Sequence, residues 1–266
     1  RPAYDSILQG AAGLTDLQAR ATGQHRFVPY MMVDRSCALV AVGAIAMALY
    51  HRAVTGEGQA LEIPMFENMA HLVLSDHLSR RTFEPPDGPI GDARQLDRNY
   101  RPFETADGHI CIAANSNAQS DAFFDCIGRP ELKADARFAD AASRAKHIDA
   151  LLQIRSQALK GRTTAQWMAA FERADVPAMP ASTLDQLFDD PHLADVGFLG
   201  RAEHPTEGTI WSLGNANRYS KTPPAVSRQA PNIGEHSAEI LREAGYADDE
   251  IGRMIDAGVT RQWRKA

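Results

Sequence analysis

The sequence has little cysteine, no long basic run, no apolar stretch of membrane length and no low-complexity tract. Each absence closes off a class of function. Three cysteines (Cys37, Cys111 and Cys126) in 266 residues are too few and too far apart for a disulfide framework or a zinc site. They point to a reducing, cytoplasmic setting. Lys and Arg are scattered and the net charge is -6, so the basic stripe of a nucleic-acid binder is missing. The longest apolar stretch, residues 37–50, falls short of the about 20 residues that cross a bilayer. No membrane partner is therefore expected, and no secretory leader is visible. His51, His71, His77 and His147 have no partners at metal-ligand spacing, so no metal is expected. What remains is ordinary globular composition, 44% hydrophobic and 23% charged, with room for one large or two modest domains.

Several segments carry clear local signals. Residues 2–13 place apolar side chains at helical spacing and stop at Gly13. A loop with Gly23 and Pro29 follows. Asp34 then stands directly before a long periodic run, SCALVAVGAIAMALYHRAV, whose small residues fit a closely packed helix. The turn TGEGQ leads into ALEIP, read as a short strand, and Pro64 opens another helix. Residues 84–98 are rich in Pro, Gly and Asp and aperiodic, which marks a boundary. Beyond it, YRPFET-ADG-HICIAA has the form of a hairpin around Asp-Gly. Helices are expected over 117–127, 144–160 and 164–174, ended by Pro177 and Pro180. Past residue 184 the pattern gives a short helix, a hairpin around Glu207-Gly208, Pro-rich coil, and two closing helices with acidic first turns.

The residue reading of Asp34 is a helix N-cap. Its carboxylate accepts orphan amide protons, and the helix dipole favours the anion. Nothing local separates that role from a chemical one.

A set of motifs in fixed order widens the reading. RPAYDSILQGAAGL, VDRSCALVAVGAIAMALYHRAVTGEGQALEIPMFE, RPFETADGHICIAA, GRPELKADARFADAASRAKHID, DDPHL, HPTEG and IGEHSAEILREAGYADDEI together resemble family III CoA-transferases, the CaiB/BaiF group. The resemblance implies an α/β class: part of a large, Rossmann-like domain (1–83), a linker (84–99), a small α+β domain (100–183) and a stretch returning to the large domain (184–266). It also implies an interlocked homodimer. The chain resembles the family pattern without its first third, which carries many of the CoA contacts.

The resemblance implies chemistry as well. The family's Asp at the position of Asp34 attacks an acyl-CoA thioester, passes through a mixed anhydride and an aspartyl-CoA thioester, and hands CoA to a second carboxylic acid. No permanently bound cofactor is implied; acyl-CoA and coenzyme A are substrates. Tyr4 and Asp5 match a Tyr-acidic pair of the acyl/CoA pocket, although many members have Glu at the position of Asp5. Met65 falls where a residue touches CoA. The loop 88–101 replaces the family's Gly-rich cover, and its Arg94, Arg98 and Arg101 suit a substrate carboxylate; Arg98 is the binding candidate among them. Cys37, one turn after Asp34, is a small core residue beside the site. His192 and His236 match motifs expected to fold the returning stretch. Two other readings stand beside the transferase. A 2-methylacyl-CoA racemase would place a His near Arg1 or Pro2, where there is none. A truncated subunit would only dimerise.

Overall fold

The computed structural model describes residues 3–263 and places helices and two small antiparallel sheets in two compact units, 1–181 and 182–266. In the first unit, α1 (Asp5–Ala11) and α2 (Leu14–Thr22) are joined at Gly13, whose φ of 89° is a left-handed conformation that glycine adopts without strain. Local signals give a loop over α2, because Gly13 is a stop signal. The helix restarts because Leu14 and Leu17 reach the core beneath it, and Asp16 and Arg20 pair one turn apart at 2.7 Å.

Helix α3 (Met32–Thr55) is closed by Gly56 at φ 80°, whose N–H bonds the Arg52 carbonyl. Helix α4 (Met65–His77) follows Pro64 and packs against α3. Leu8, Leu14, Val33, Cys37 and Met69 form the small core that joins these four helices. The expected strand ALEIP is coil, because no neighbouring strand completes a ladder with it among the described residues. The Rossmann-like sheet foreseen for 1–83 is therefore absent from the described residues of this segment.

By its apolar run alone, residues 37–50, this segment is too short for a membrane. The helix extends well beyond it at both ends, and by length and composition α3 is long and apolar enough to cross one. Little of it is buried. Leu39, Val42, Met47 and Tyr50 all face solvent.

The hairpin β1 (Phe103–Glu104) and β2 (His109–Ile112) forms as expected, with Phe103 opposite Ile110. Helices α5 (Asn117–Cys126), α6 (Ala141–Lys146), α7 (Ile148–Ala158) and α8 (Thr164–Arg173) surround it. Ser116 with Gln119 and Thr163 with Gln166 form reciprocal caps that start α5 and α8. The sheet gains a third strand, β3 (Ala178–Pro180), in the segment read only as a helix stop. Pro180 sits at the strand's end on a sheet edge, where a missing donor costs no ladder bond. The core beneath is aromatic: Trp167 and Phe171 stack at 5.4 Å, and Phe171 and Phe123 at 5.9 Å.

In the second unit, α9 (Pro191–Asp195) is capped by Asp190, and β4 (Leu199–His204) pairs with β5 (Gly208–Leu213). The His204 ring organises the turn between them. Nδ1 accepts from the Glu207 amide at 3.2 Å, and Nε2 bonds the Ala230 carbonyl at 2.9 Å. Helices α10 (Ser237–Glu243) and α11 (Asp248–Asp256) complete this unit. His192 and His236 lie in the first turn of α9 and at the start of α10.

Candidate functional site

Two polar residues one helical turn apart on α1 build the site. Asp5 and Gln9 are 7% and 1% exposed, and the Gln9 side-chain amide donates to Asp5 Oδ2 at 2.6 Å. Gln9 also reaches across to the turn before α3. Its Oε1 accepts from the Val28 amide at 2.9 Å, and its Nε2 donates to the carbonyls of Val28 and Tyr30 at 3.3 and 3.2 Å. These bonds fold the 27–31 segment back over α1. Buried polar groups need such partners, and here the partners fix a loop.

Asp5 then closes the start of α3. Its Oδ1 accepts from the amides of Val33 at 2.8 Å and Asp34 at 3.3 Å. This is a helix cap supplied by another helix. It corrects the local reading of Asp34, which is not the N-cap. Asp34 lies inside the first turn of α3, and its side chain makes no capping bond. Its carboxylate is exposed on a rigid element.

The cap also removes an expected resource. The Met32 amide bonds the Tyr30 carbonyl, Val33 and Asp34 bond Asp5, and Arg35 bonds the Met31 carbonyl. The first-turn amides from Met32 to Arg35 are thus all engaged, so none is free for an oxyanion beside Asp34.

An open cleft of about 620 Å³ gathers Tyr4, Asp5 and Asp34 with Phe27, Tyr30 and Arg35. Three of the residues picked from sequence, drawn from both ends of a thirty-residue span, therefore meet. Two others do not join them. Met65 is half-buried against the four-helix core, where its carbonyl accepts from the Cys37 thiol at 3.6 Å. Arg98 is exposed on the irregular loop, away from the residues lining the cleft. Arg94 of the same loop lies over the Tyr100 ring, 5.7 Å from its centroid. Gln9, Arg35, Phe27 and Tyr30 were missed. Gln9 alone carried a signal, its i+4 spacing from Asp5; the others depend on how the turn folds back.

Burial, and secondly the Asp34 carboxylate, push the Cys37 thiol above its ordinary range. It remains a protonated thiol at neutral pH and does not compete as a nucleophile. No histidine lines the cleft among the described residues. Arg1 and Pro2, where a racemase would carry its His, lie outside the described residues. Among the described residues, no cluster of His, Cys, Asp and Glu is arranged to hold a metal ion.

A sequence model described as CoA-transferase family III matches residues 1–237. The chain belongs to this family. Its relatives include succinyl-CoA:glutarate CoA-transferase from Homo sapiens, 27% identical over 98% of this chain and 60% of that protein. Formyl-CoA:oxalate CoA-transferase from Rhodopseudomonas palustris is 26% identical over 99% of this chain and 67% of that protein. Among solved structures, an Asp-to-Ala mutant of Rv3272 from Mycobacterium tuberculosis superposes with a TM-score of 0.75 at 26% identity, covering 91% of this chain and 63% of that one. A CaiB/BaiF family protein from Brucella suis gives 0.68 at 26% identity, again over 91% and 63%. The mixed helix-and-strand fold is thus that of family III. The chain spans about 60% of the length of the human relative.

Proposed function

We propose that this chain carries the nucleophile of a CoA-transferase, and that the nucleophile is Asp34. The observation that supports this reading most is the position of its carboxylate. It is exposed in a cleft, held on the first turn of a helix, and flanked by Tyr4 and the buried Asp5. A carboxylate so placed attacks a thioester carbonyl. The carbon–sulfur bond breaks, CoA leaves as thiolate, and a mixed anhydride remains on Asp34. The thiolate then attacks the aspartyl carbonyl and releases the first carboxylate. The acceptor acid takes CoA by the reverse steps.

In this reading Asp5 is a positioning residue, because both its oxygens are occupied by Gln9 and α3. Oxyanion support falls to side chains rather than α3 amides, and Tyr4, Ser6 and Arg35 are among the donors that line the cleft. The substrates are an acyl-CoA and a carboxylic acid. Short-chain acids such as succinate, glutarate and oxalate are the candidates, a reading supported by the names of the relatives. We infer a homodimer, cytoplasmic, with the bare apolar face of α3 as the feature that favours a covering partner.

The test is to incubate the complete protein with succinyl-CoA and search by mass spectrometry for CoA on the Asp34 peptide, or to trap the acyl group with hydroxylamine. Asp34→Ala is expected to abolish both the adduct and transfer to glutarate or oxalate. Full transfer activity in Asp34→Ala overturns the assignment.

A further inference from the structure

Two arginines are buried in the first unit and take part in no ion pair among the described residues. Arg155 of α7 is 6% exposed and Arg144 of α6 is 5% exposed. Arg144 is well supplied with acceptors. It donates to the Phe138 carbonyl at 3.1 Å, the Asn115 carbonyl at 3.0 Å and Asn117 Oδ1 at 2.9 Å. Arg155 is not. Its Nη2 donates to the Ala114 carbonyl at 3.2 Å, its guanidinium lies 5.4 Å from the Phe123 ring centroid, and its buried Nε has no partner among the described residues.

Arg155 lines two cavities at once. One, of about 340 Å³, is shared with Arg94, Arg144 and Asn115; the other, of about 250 Å³, with Arg101. Tyr100, Ile112 and Leu152 belong to both, so the two adjoin. Arg94, Arg101, Arg144 and Arg155 thus line one composite cavity to which no Asp or Glu contributes. Carboxylates serve the outer arginines of the set and not Arg155: Asp92 stands 4.0 Å from Arg94, Glu104 pairs with Lys160 and also feels Arg101, and Asp140 feels Arg144.

We propose that this composite cavity is a binding site for a small oxyanion, a carboxylate or a phosphate, with Arg155 as its central contact. A cation withdrawn from water needs a counter-charge or full hydrogen bonding, and Arg155 has neither from the described residues. Nη1 makes no hydrogen bond among the described residues, and the paired Nη groups of a guanidinium present a two-donor end that carboxylate and phosphate oxygens match, while the enclosed Nε adds charge. The apolar walls of Ile112 and Leu152 suit the carbon frame of an organic acid. Burial, and secondly the neighbouring Arg144, lower the Arg155 guanidinium to about 10. It stays a cation at neutral pH, and an anion between the two arginines relieves both effects. This inference rests on the arginine cluster alone and does not depend on the transfer reading of Asp34.

The full chain is titrated with sodium succinate and, separately, with sodium phosphate, with ionic strength held constant by sodium chloride. The readouts are the 15N signal of the Arg155 Nε–H and the melting temperature. A saturable shift in both, absent with chloride, is expected. A response to succinate alone identifies a carboxylate site, to phosphate alone a phosphate site, and to both a general oxyanion site. Arg155→Met is expected to weaken binding at least tenfold while leaving the anion-free melting temperature at or above that of the parent. Arg155→Lys retains part of the affinity. Arg101→Gln, at an exposed position, weakens binding without disturbing the fold and serves if Arg155→Met does not fold. The proposal is overturned if neither salt acts beyond chloride. It is equally overturned if Arg155→Met folds and binds as the parent does, since Arg155 is then a packing residue against Phe123.

Discussion

Asp5 Oδ1 accepts the backbone amide of Asp34 at 3.3 Å, so one carboxylate caps the helix that displays the other. The two acidic residues share one helix start but not one role. Asp5 is buried with its oxygens engaged, and Asp34 is exposed with its side chain free to react.

Substitution should separate these roles. Asp5→Ala leaves the Val33 and Asp34 amides without their acceptor and removes the shortest of the bonds that Gln9 donates. A loss of about 1–3 kcal/mol in unfolding free energy is expected, read by urea denaturation. Asp5→Glu should unfold the 27–31 turn less but displace α3. An Asp5→Ala protein as stable as the parent would refute the cap.

Asp34→Ala should behave in the opposite way. It removes an exposed side chain with no capping bond, and only its favourable position in the helix dipole is lost, about 0.3–1 kcal/mol. Stability should stay within about 1 kcal/mol while the covalent adduct disappears. Loss of fold in Asp34→Ala would mean that Asp34, not Asp5, holds the helix start.

Cys37 provides a pH signature. Its thiol is raised in the folded state by burial first and by Asp34 second, whereas an unfolded cysteine titrates near about 8.5. The folded state therefore retains the proton longer. The contribution of this group is complete below about pH 8.5 and is lost as pH rises through the folded value. Cys37→Ala should flatten that alkaline slope, and Asp34→Asn should bring the Cys37 titration down. In native protein the exposed Cys111 should react first with a thiol reagent, and the buried Cys37 only on unfolding.

The bare face of α3 makes a further prediction. Leu39→Gln and Met47→Gln exchange exposed apolar side chains for good helix formers. With this face covered in the inferred homodimer, each substitution should weaken association and lower the melting temperature at fixed protein concentration. An unchanged melting temperature and dimer population would show that the face stays bare in solution.

Local chemistry made much of the fold legible. The caps Ser116–Gln119 and Thr163–Gln166 are three-residue signals, and α5 and α8 lie where those signals put them. The Asp-Gly turn fixed the β1–β2 hairpin, and Asp248, Asp249 and Glu250 marked the start of α11. Helix α2 was missed because Gly13 is a stop in any local reading, although a left-handed glycine also links two helices. ALEIP was read as a strand because its residues favour one, but a strand exists only when another segment pairs with it.

The sequence by itself determined most of the helices, the hairpins and an acidic residue at the start of the long α3, since these depend on bonds and side-chain periods a few residues long. Tertiary structure decided what those acids and bases do. Asp5 became the cap and Asp34 the free carboxylate because α1 packs under α3, 28 residues away in the chain at the Asp5–Val33 bond. Of the four arginines of the composite cavity, Arg94 and Arg101 share the loop 88–101, but Arg144 and Arg155 join them from α6 and α7 only through packing. A hydrogen bond or a charge cluster between distant segments is set by packing, and spacing along the chain does not encode it.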